Sequence, residues 1–529
     1  MELGRIPFCL YVGVVGHRIL DDPDAVAGSV RSVLEHLTDS IRERSAGHVR
    51  IRVVSSLAEG ADRLVVHEAL AHEGASLEVI LPVPRVDYVR DFSTVESRDE
   101  FMDLLSRASH VLELPSSGDR ELAYEEAGRA VLNRADVLLA IWDGEETERR
   151  AGTAPAVDRA RQTGTPLYWI NPKHGARWVQ EPGSGLPWVE SNQLDLFNRE
   201  PLAPESFDRS VGEQVRRLEG MLPSRDAPAA RRLLEWHIPY LVRADRLAAR
   251  CRRRHARVGD AVFLLAALAL VTVAVQILFW PELPRLAWIE VTFLVLLLGL
   301  LTMARIRRLH ERWLSYRVLA ERIRSSLFVA CFGGDPRREA ALEVIYGAGP
   351  EERWLKRAFE QIWAERPSSA DVTWEPDTAR RFVREGWLRD QLEYFDETGS
   401  RHRDRLRWLQ LASTALFGLT LIAAVVHALG LGHSETGGSA GGKIATLATI
   451  VLPALGVALG GIRAQRDYLR NTLRFTAMAR HLRAAEERLA QTSDLPGIGD
   501  VVTELDGILM EENRDWFVAM RFHEIELPG

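Results

Sequence analysis

Ala261–Trp280, AVFLLAALALVTVAVQILFW, runs for twenty residues without a charge, and no other stretch restricts this 529-residue chain so strongly. A helix of about twenty apolar residues crosses a hydrocarbon core of about 30 Å. Three further stretches are alike: Leu286–Ala304, with the single carboxylate Glu290 near its start, Trp408–Leu431 and Ile444–Ile462. As soluble elements they would need two separate helical cores with every face apolar, so they read as four membrane spans in two hairpins.

Arginine placement orients the spans. Arg252, Arg253, Arg254 and Arg257 precede the first, and Arg305, Arg307 and Arg308 follow the second. Arg403, Arg405 and Arg407 precede the third, and Arg463, Arg466 and Arg470 follow the fourth. The two loops within the hairpins, PELPR and GHSETGGSAGGK, carry one Arg or Lys each, so both are expected outside and all large segments in the cytoplasm. No charged and apolar leader opens the chain, so no cleavable signal is expected. The hairpins also read as a duplication. YRVLAERIR (Tyr316–Arg324) follows the second span as FTAMARHLR (Phe475–Arg483) follows the fourth. GVALG (Gly456–Gly460), just after Pro453, offers a small face for close helix approach. Glu290 and His427 are the ionisable residues within the spans, both near an interface.

Before the spans the pattern changes. YVGVVG, VRIRVVSS, SLEVILPVP, ADVLLAIWDG and PLYWINP are apolar runs separated by helical periods such as VAGSVRSVLEHLTDSI and ADRLVVHEALAHEG. Strands apolar throughout and alternating with helices imply a parallel sheet covered on both faces, with ligands bound beyond the carboxyl ends of the strands. Three strand ends carry suitable residues. Gly16-His17-Arg18 ends the first, Ser55-Ser56-Leu57-Ala58-Glu59-Gly60-Ala61-Asp62 the second, and Asp143-Gly144 a later one, with Gly152-Thr153 before the next helix. Glycines let backbone amides approach an anion, Thr153 caps a helix or bonds a phosphate, and Arg18 supplies charge. Each has a plainer use as a turn glycine, a helix cap or a solvated loop, Asp62 as an N-cap among them. It is their convergence on one edge that points to a nucleotide.

Composition narrows the options. The formal net charge of −7 gives no reason to expect a nucleic-acid partner, although residues 242–257, VRADRLAARCRRRHAR, are densely basic. Lysine occurs only at 173, 356 and 443 among 67 basic residues, a bias expected of GC-rich bacterial coding. Cys9, Cys251 and Cys331 lie far apart and lack metal spacing, so reduced thiols and no structural zinc are expected.

Taken in order, VGVVGHR, VVSSLAEGAD, LEVILPVP, ADVLLAIWDG and AGTAPAVDRA resemble the SLOG superfamily. That group holds the DNA-processing protein A fold, the lonely-guy phosphoribohydrolases and the nucleotide-sensing region of melastatin-type TRP channels. The resemblance covers about residues 8–172. SSLAEGAD is similar to the SGLAxGID signature, with Ser56 where glycine is usual. The hydrolases carry a PGGxGTxxE glutamate; RAGTAPAVD keeps Gly152 and Thr153 but has Ala156 at that place, so the resemblance implies binding without the acid–base group of catalysis. RWLSYRVLAERIR after a two-span hairpin resembles SLATT modules, which accompany SLOG domains in bacterial conflict systems, and Gly386–Arg405 resembles the lead-in to a second one.

The expected fold is therefore a Rossmann-like α/β parallel-sheet N-terminal domain joined to an all-α four-helix transmembrane region with cytoplasmic helices. Expected divisions are 1–172 for the nucleotide-binding domain, 173–235 for a partly structured linker, and 236–335 for the first hairpin with its flanks. A helical connector at 336–399, a second hairpin at 400–495 and a tail at 496–529 complete the chain. The resemblance implies a multi-pass protein of the bacterial inner membrane, with both termini cytoplasmic, acting as an antiphage or conflict effector. A nucleotide-derived ligand would control an oligomeric, membrane-permeabilising region, with a nucleotide-synthesising enzyme as possible partner and no cofactor required. The alternative is a membrane-anchored nucleotide-processing hydrolase or transferase. A transporter is a weaker third reading.

Overall fold

A computed structural model describes residues 4–43, 49–115, 118–145, 151–173, 176–181, 188–222, 228–334, 350–429 and 440–521. EPGSGLP, most of the loop GHSETGGSAGGK and the last residues of the tail lie largely or wholly outside them, as does most of LPSRDAPAA. The N-terminal part alternates β1 (Phe8–Gly16), α1 (Pro23–Arg42), β2 (Val49–Ser55), α2 (Ala61–Leu70) and β3 (Ser76–Leu81). It continues with α3 (Arg85–Tyr88), α4 (Val95–Ser106), β4 (His110–Glu113), α5 (Arg120–Arg134), β5 (Val137–Ile141), α6 (Thr153–Thr163), β6 (Leu167–Ile170) and β7 (Trp178–Gln180).

Among the described residues seven strands form one sheet in the order β4-β3-β2-β1-β5-β6-β7, parallel except for β7, which runs antiparallel to β6. The apolar runs account for five strands. The edge strand β4, HVLE, has no continuous apolar run, and β7 is three residues long, so neither stands out in the sequence. Helix α1 shows why the segments between are helical. Asp22 caps it by accepting from the Ala25 amide at 3.0 Å, Pro23 opens it, and Val26, Val30, Val33, Leu34, Leu37 and Ile41 form one buried stripe.

Helices α7 (Trp188–Arg199) and α8 (Pro204–Glu219) follow. They are docked elements: the buried Arg243 guanidinium donates to the carbonyls of Phe197 (2.6 Å), Asn198 (2.7 Å) and Glu200 (3.0 Å) at the end of α7, where a cation suits the helix dipole. Asn198 in turn bonds the backbone of Ile6 on both sides, at 3.0 and 2.8 Å.

The rest is helical: α9 (Pro228–Phe279), α10 (Ala287–Ile306), α11 (Leu309–Cys331), α12 (Pro350–Ala364), α13 (Pro376–Val383), a π-helical turn (Arg384–Leu388), α14 (Arg389–Ala428), α15 (Ala440–Arg466), α16 (Tyr468–Gln491) and α17 (Leu495–Arg521). Helix α9 has 52 residues and is about 78 Å long, so its apolar half and its polar half form one rod. Among the described residues four helices are long and apolar enough to cross a membrane, and at most 22 % of each apolar window is buried within the chain. These windows expose Leu264, Val295, Leu411, Phe417 and Leu421, as lipid-facing helices do. This is a membrane protein with an α/β domain.

The two hairpins are built alike. Each second span ends at one left-handed residue, Arg308 (φ 47°) or Asp467 (φ 43°), and a new helix starts there. Tyr316 and Phe475 stand eight residues beyond that break, Arg324 and Arg483 sixteen. Arg324 pairs with Asp245 at 2.6 Å and Arg483 with Asp396 at 2.5 Å, each carboxylate lying on the helix that leads into the first span of its hairpin. Of the small residues in the fourth span, Gly456 faces Phe417, Gly460 faces no neighbour, and Gly461 takes the Phe263 ring so closely that an added Cβ would lie 2.3 Å from it. His427 meets Thr446 at 3.2 Å, joining the two helices of its hairpin.

One hydrophobic core runs from the sheet and α1 through Phe197, Tyr316, Trp354, Phe359 and Trp363 to Phe475 and Trp516. The α/β domain and the helical body are thus continuous. Their junction is polar as well as apolar. Arg134 is shared by Glu78 (2.9 Å) and Glu360 of α12 (3.0 Å), Arg52 donates to Tyr11 (3.1 Å) and Gln361 (3.2 Å), and Arg357 pairs with Asp136. All of these lie towards the N-terminal ends of the strands. Burial opposes ionisation of Glu360, but the Arg134 guanidinium outweighs it and holds the carboxyl below its usual range.

Candidate functional site

Strand order reverses between β1 and β5, because β1 leads to β2 on one side while β5 arrives from the far edge. In open α/β sheets that reversal leaves a crevice beyond the strand ends where ligands bind. Gly16, His17 and Arg18 lie there from β1, and Asp143 and Gly144 from β5.

The geometry sorts the residues singled out by the sequence. Gly16 lets β1 pass under α2: a Cβ there would lie 2.4 Å from that of Ala61. Gly60 has φ +81°, and a Cβ would lie 2.2 Å from the Arg18 carbonyl. The His17 carbonyl accepts from the Ala61 amide at 3.0 Å. The start of α2 is therefore closed by the β1 loop, and the glycine there serves the packing of two loops.

Ser55 and Asp62 also serve the loop. Ser55 Oγ donates to Asp62 at 2.8 Å and accepts from the Leu57 amide at 2.9 Å, which holds Leu57 at φ 55°. Burial pushes the Asp62 carboxyl up to about 6, although the hydroxyl of Ser55, the amides of Ala58 and Ser56 and the charge of Arg18 all favour its ionised form. Glu59 accepts from the Ser97 hydroxyl, and Ser56 is half-buried.

The remaining residues face outward. His17 Nε2 lies 3.1 Å from Asp143 Oδ1 and 3.1 Å from the Asp143 amide, and the ring's protonation decides which it serves. Asp143 also pairs with Lys173 at 2.8 Å, past the end of β6. Partial burial works against ionisation of Asp143, but hydrogen bonds from Lys173, the Glu145 amide and His17 hold it down at about 2. It is a carboxylate at neutral pH, with two bases beside it.

Arg18 is exposed, 5.9 Å from the Tyr124 ring centroid, and forms no ion pair among the described residues. Tyr88 of α3 holds a buried hydroxyl without a hydrogen-bond partner among those residues, close enough to Asp62 and Arg18 to feel both charges. Gly152 (φ +130°) caps α6 and Thr153 opens it; among the described residues no hydrogen bond ties them to His17 or Asp143. Ala156 is half-buried in the first turn of α6.

No family model matches the chain, and no curated protein does. The chemistry must be read from the crevice alone. An ionised carboxylate at a switch point accepts hydroxyls of a ribose, and an arginine with no ion pair among the described residues suits phosphate. Lys173 and Tyr88 were not among the residues picked from sequence. Lys173 was visible as one of three lysines, but nothing local ties the turn after β6 to the end of β5. Among the described residues no group of three His, Cys, Asp or Glu side chains is placed to hold a metal ion. Cys9 and Cys331 are buried free thiols, pushed up by burial to about 11 and about 12.

Proposed function

We propose that this protein is a nucleotide-responsive membrane effector: a nucleotide-derived ligand at the β1–β5 crevice biases the state of the four-span region. The observation that carries the reading is the continuity of the two parts. The sheet with the crevice at one end is joined at the other to α12, and through it to the helical body, by buried pairs such as Arg134–Glu360 and Arg52–Gln361. A ligand moves such an equilibrium only by favouring one state, and going from 1:99 to 99:1 takes about 5.5 kcal/mol. A buried junction transmits a strand displacement; a flexible tether would dissipate it.

Ala156 stands where the resembling hydrolases have a glutamate, which supports sensing over turnover. The reading places the protein in a bacterial inner membrane with both termini cytoplasmic, from the arginine distribution. It assigns the chain to an antiphage or conflict system as a homo-oligomer, on the SLOG and SLATT resemblance.

The test is dye leak from vesicles holding the full chain, with a panel of linear and cyclic nucleotides, NAD and ADP-ribose. One nucleotide should change the leak, and Arg18→Ala or Gly152→Asp should abolish the response. Leak indifferent to every nucleotide would overturn the coupling. Consumption of the nucleotide would make the protein an enzyme instead.

A further inference from the structure

Where the spans enter the helical body, a cavity of about 490 Å³ lies between the two hairpins. Six arginines line it, Arg252, Arg253, Arg317, Arg401, Arg405 and Arg466, against one carboxylate, Glu397. Glu397 is taken by Arg401, and Arg466 is held by Asp260 at 2.8 Å. Arg317 lies 4.1 Å from the Trp516 ring centroid. Arg252, Arg253 and Arg405 have no carboxylate within ion-pair reach among the described residues.

Three buried polar atoms of the lining have no hydrogen-bond partner there: Arg466 Nε, His402 Nδ1 and Gln465 Oε1. Those atoms sit behind the cavity wall, and what the cavity presents to a ligand are the exposed guanidinium groups of Arg252 and Arg405. Burial, and then the charges of Arg405, Arg252 and Arg466, push the His402 imidazole down to about 4, as an uncompensated positive field does.

A second cavity of about 600 Å³ adjoins the first, sharing Arg405, Arg466 and Tyr468. Its other walls include Trp408, Leu409, Leu459 and Ile462 from the third and fourth spans, with Asp260 and Asp404 at its polar end. A guanidinium-rich chamber thus opens onto an apolar groove along membrane-crossing helices. A soluble anion would use the chamber alone. An amphiphile uses both.

We propose that this double cavity seats one anionic phospholipid, its phosphate among Arg252, Arg405 and Arg466 and its acyl chains in the groove beside Trp408 and Leu459. Basic pockets between membrane helices hold anionic headgroups on the same physical grounds. The site bridges α9, α14 and α15, so an occupant ties one hairpin to the other, whatever binds at the sheet.

The experiment titrates the full chain, purified in neutral detergent, with phosphatidylglycerol, phosphatidylcholine, inorganic phosphate and AMP, reading the thermal midpoint. Phosphatidylglycerol should raise the midpoint and saturate, and the other three should not. The double variant Arg252→Ala/Arg405→Ala should weaken binding about tenfold or more, since each arginine near a lipid surface contributes about 1 kcal/mol. Arg252→Lys/Arg405→Lys, which keeps the charge, should bind, as should Arg463→Ala, an exposed arginine outside the cavity. Equal response to phosphatidylcholine would overturn the proposal, and so would equal loss in Arg463→Ala, which would mean general surface attraction. Loss in the lysine pair, or saturation by phosphate or AMP as tight as by lipid, would overturn it as well.

Discussion

Towards the N-terminal ends of the strands, Glu78 and Glu360 share one guanidinium and Asp136 has its own, all buried. At the C-terminal ends Arg18 stands exposed, Asp143 is a largely buried carboxylate between His17 and Lys173, and the Tyr88 hydroxyl has no hydrogen-bond partner among the described residues. The same sheet thus pairs its charges at one end, and at the other leaves Arg18 without an ion pair and the Tyr88 hydroxyl without a partner among the described residues, while Asp143 is held by His17 and Lys173. Charges matched to each other within a chain hold parts together. Charges matched to nothing in the chain remain for something outside it.

The largest expected effect comes from breaking the matched end. Arg134→Ala leaves Glu78 and Glu360 buried without their shared cation, and removing one partner of such a pair costs about 3–5 kcal/mol. Thermal or denaturant unfolding of the purified protein in detergent should show it as a lowered midpoint and as early protease cleavage between the sheet and α12. Replacing Arg134 with little change in stability would mean that the network is ornamental and the junction rests on apolar contact alone.

A smaller effect separates two carboxylates at the open end. Asp62 has a folded value of about 6 against an ordinary 3.8, so its protonated form is favoured in the fold. Its contribution is therefore fully present below about pH 4 and is lost as pH rises through 6, a change of roughly 3 kcal/mol for two pKa units. Asp143 runs the other way: held at about 2, it stabilises above the ordinary carboxylate range and loses that contribution as pH falls. Comparing wild-type and Asp62→Asn stability from pH 4 to 7 isolates the first slope. A difference between them that does not change with pH would show that Asp62 is not strained by burial.

Much of this was legible in the sequence, for reasons that also mark the limits. Apolar runs such as ADVLLAIWDG announce buried parallel strands, and charge-free twenty-residue runs announce spans, because both are local properties of composition and period. Strand ends inherit that clarity: His17 and Asp143 were both candidates, and the structure puts them 3.1 Å apart. The SSLAEGAD loop shows where pattern stops. Its Ser55, Gly60 and Asp62 look like an anion cradle, yet Ser55 and Asp62 bond each other and Gly60 packs against the β1 loop, which only the folded path of the chain decides. The junction was invisible for a related reason. Arg134 and Glu360 are 226 residues apart, and nothing in either neighbourhood names the other. Helices α7 and α8 sit within the segment expected to be a linker because their polar faces hide how firmly Arg243 and Asn198 tie down the first and Arg246 the second.

The smallest expected effect decides whether the contrast between the two ends is real. Arg18→Ala removes an exposed side chain with no ion pair among the described residues, losing a ring contact with Tyr124 worth about 0.5–1 kcal/mol at such a site. Its charge also favours the ionised form of Asp62, so the variant should push that carboxyl further up, a shift visible by carboxyl-resolved NMR in the pH titration. Stability should therefore stay near wild type while the response to nucleotide disappears. A loss of stability as large as that of Arg134→Ala would make Arg18 a structural residue, and the two ends of the sheet would then differ in exposure but not in purpose. Near-neutral stability with an intact nucleotide response would leave the charge of Arg18 unused, and recognition would have to pass to Lys173, His17 and the start of α6.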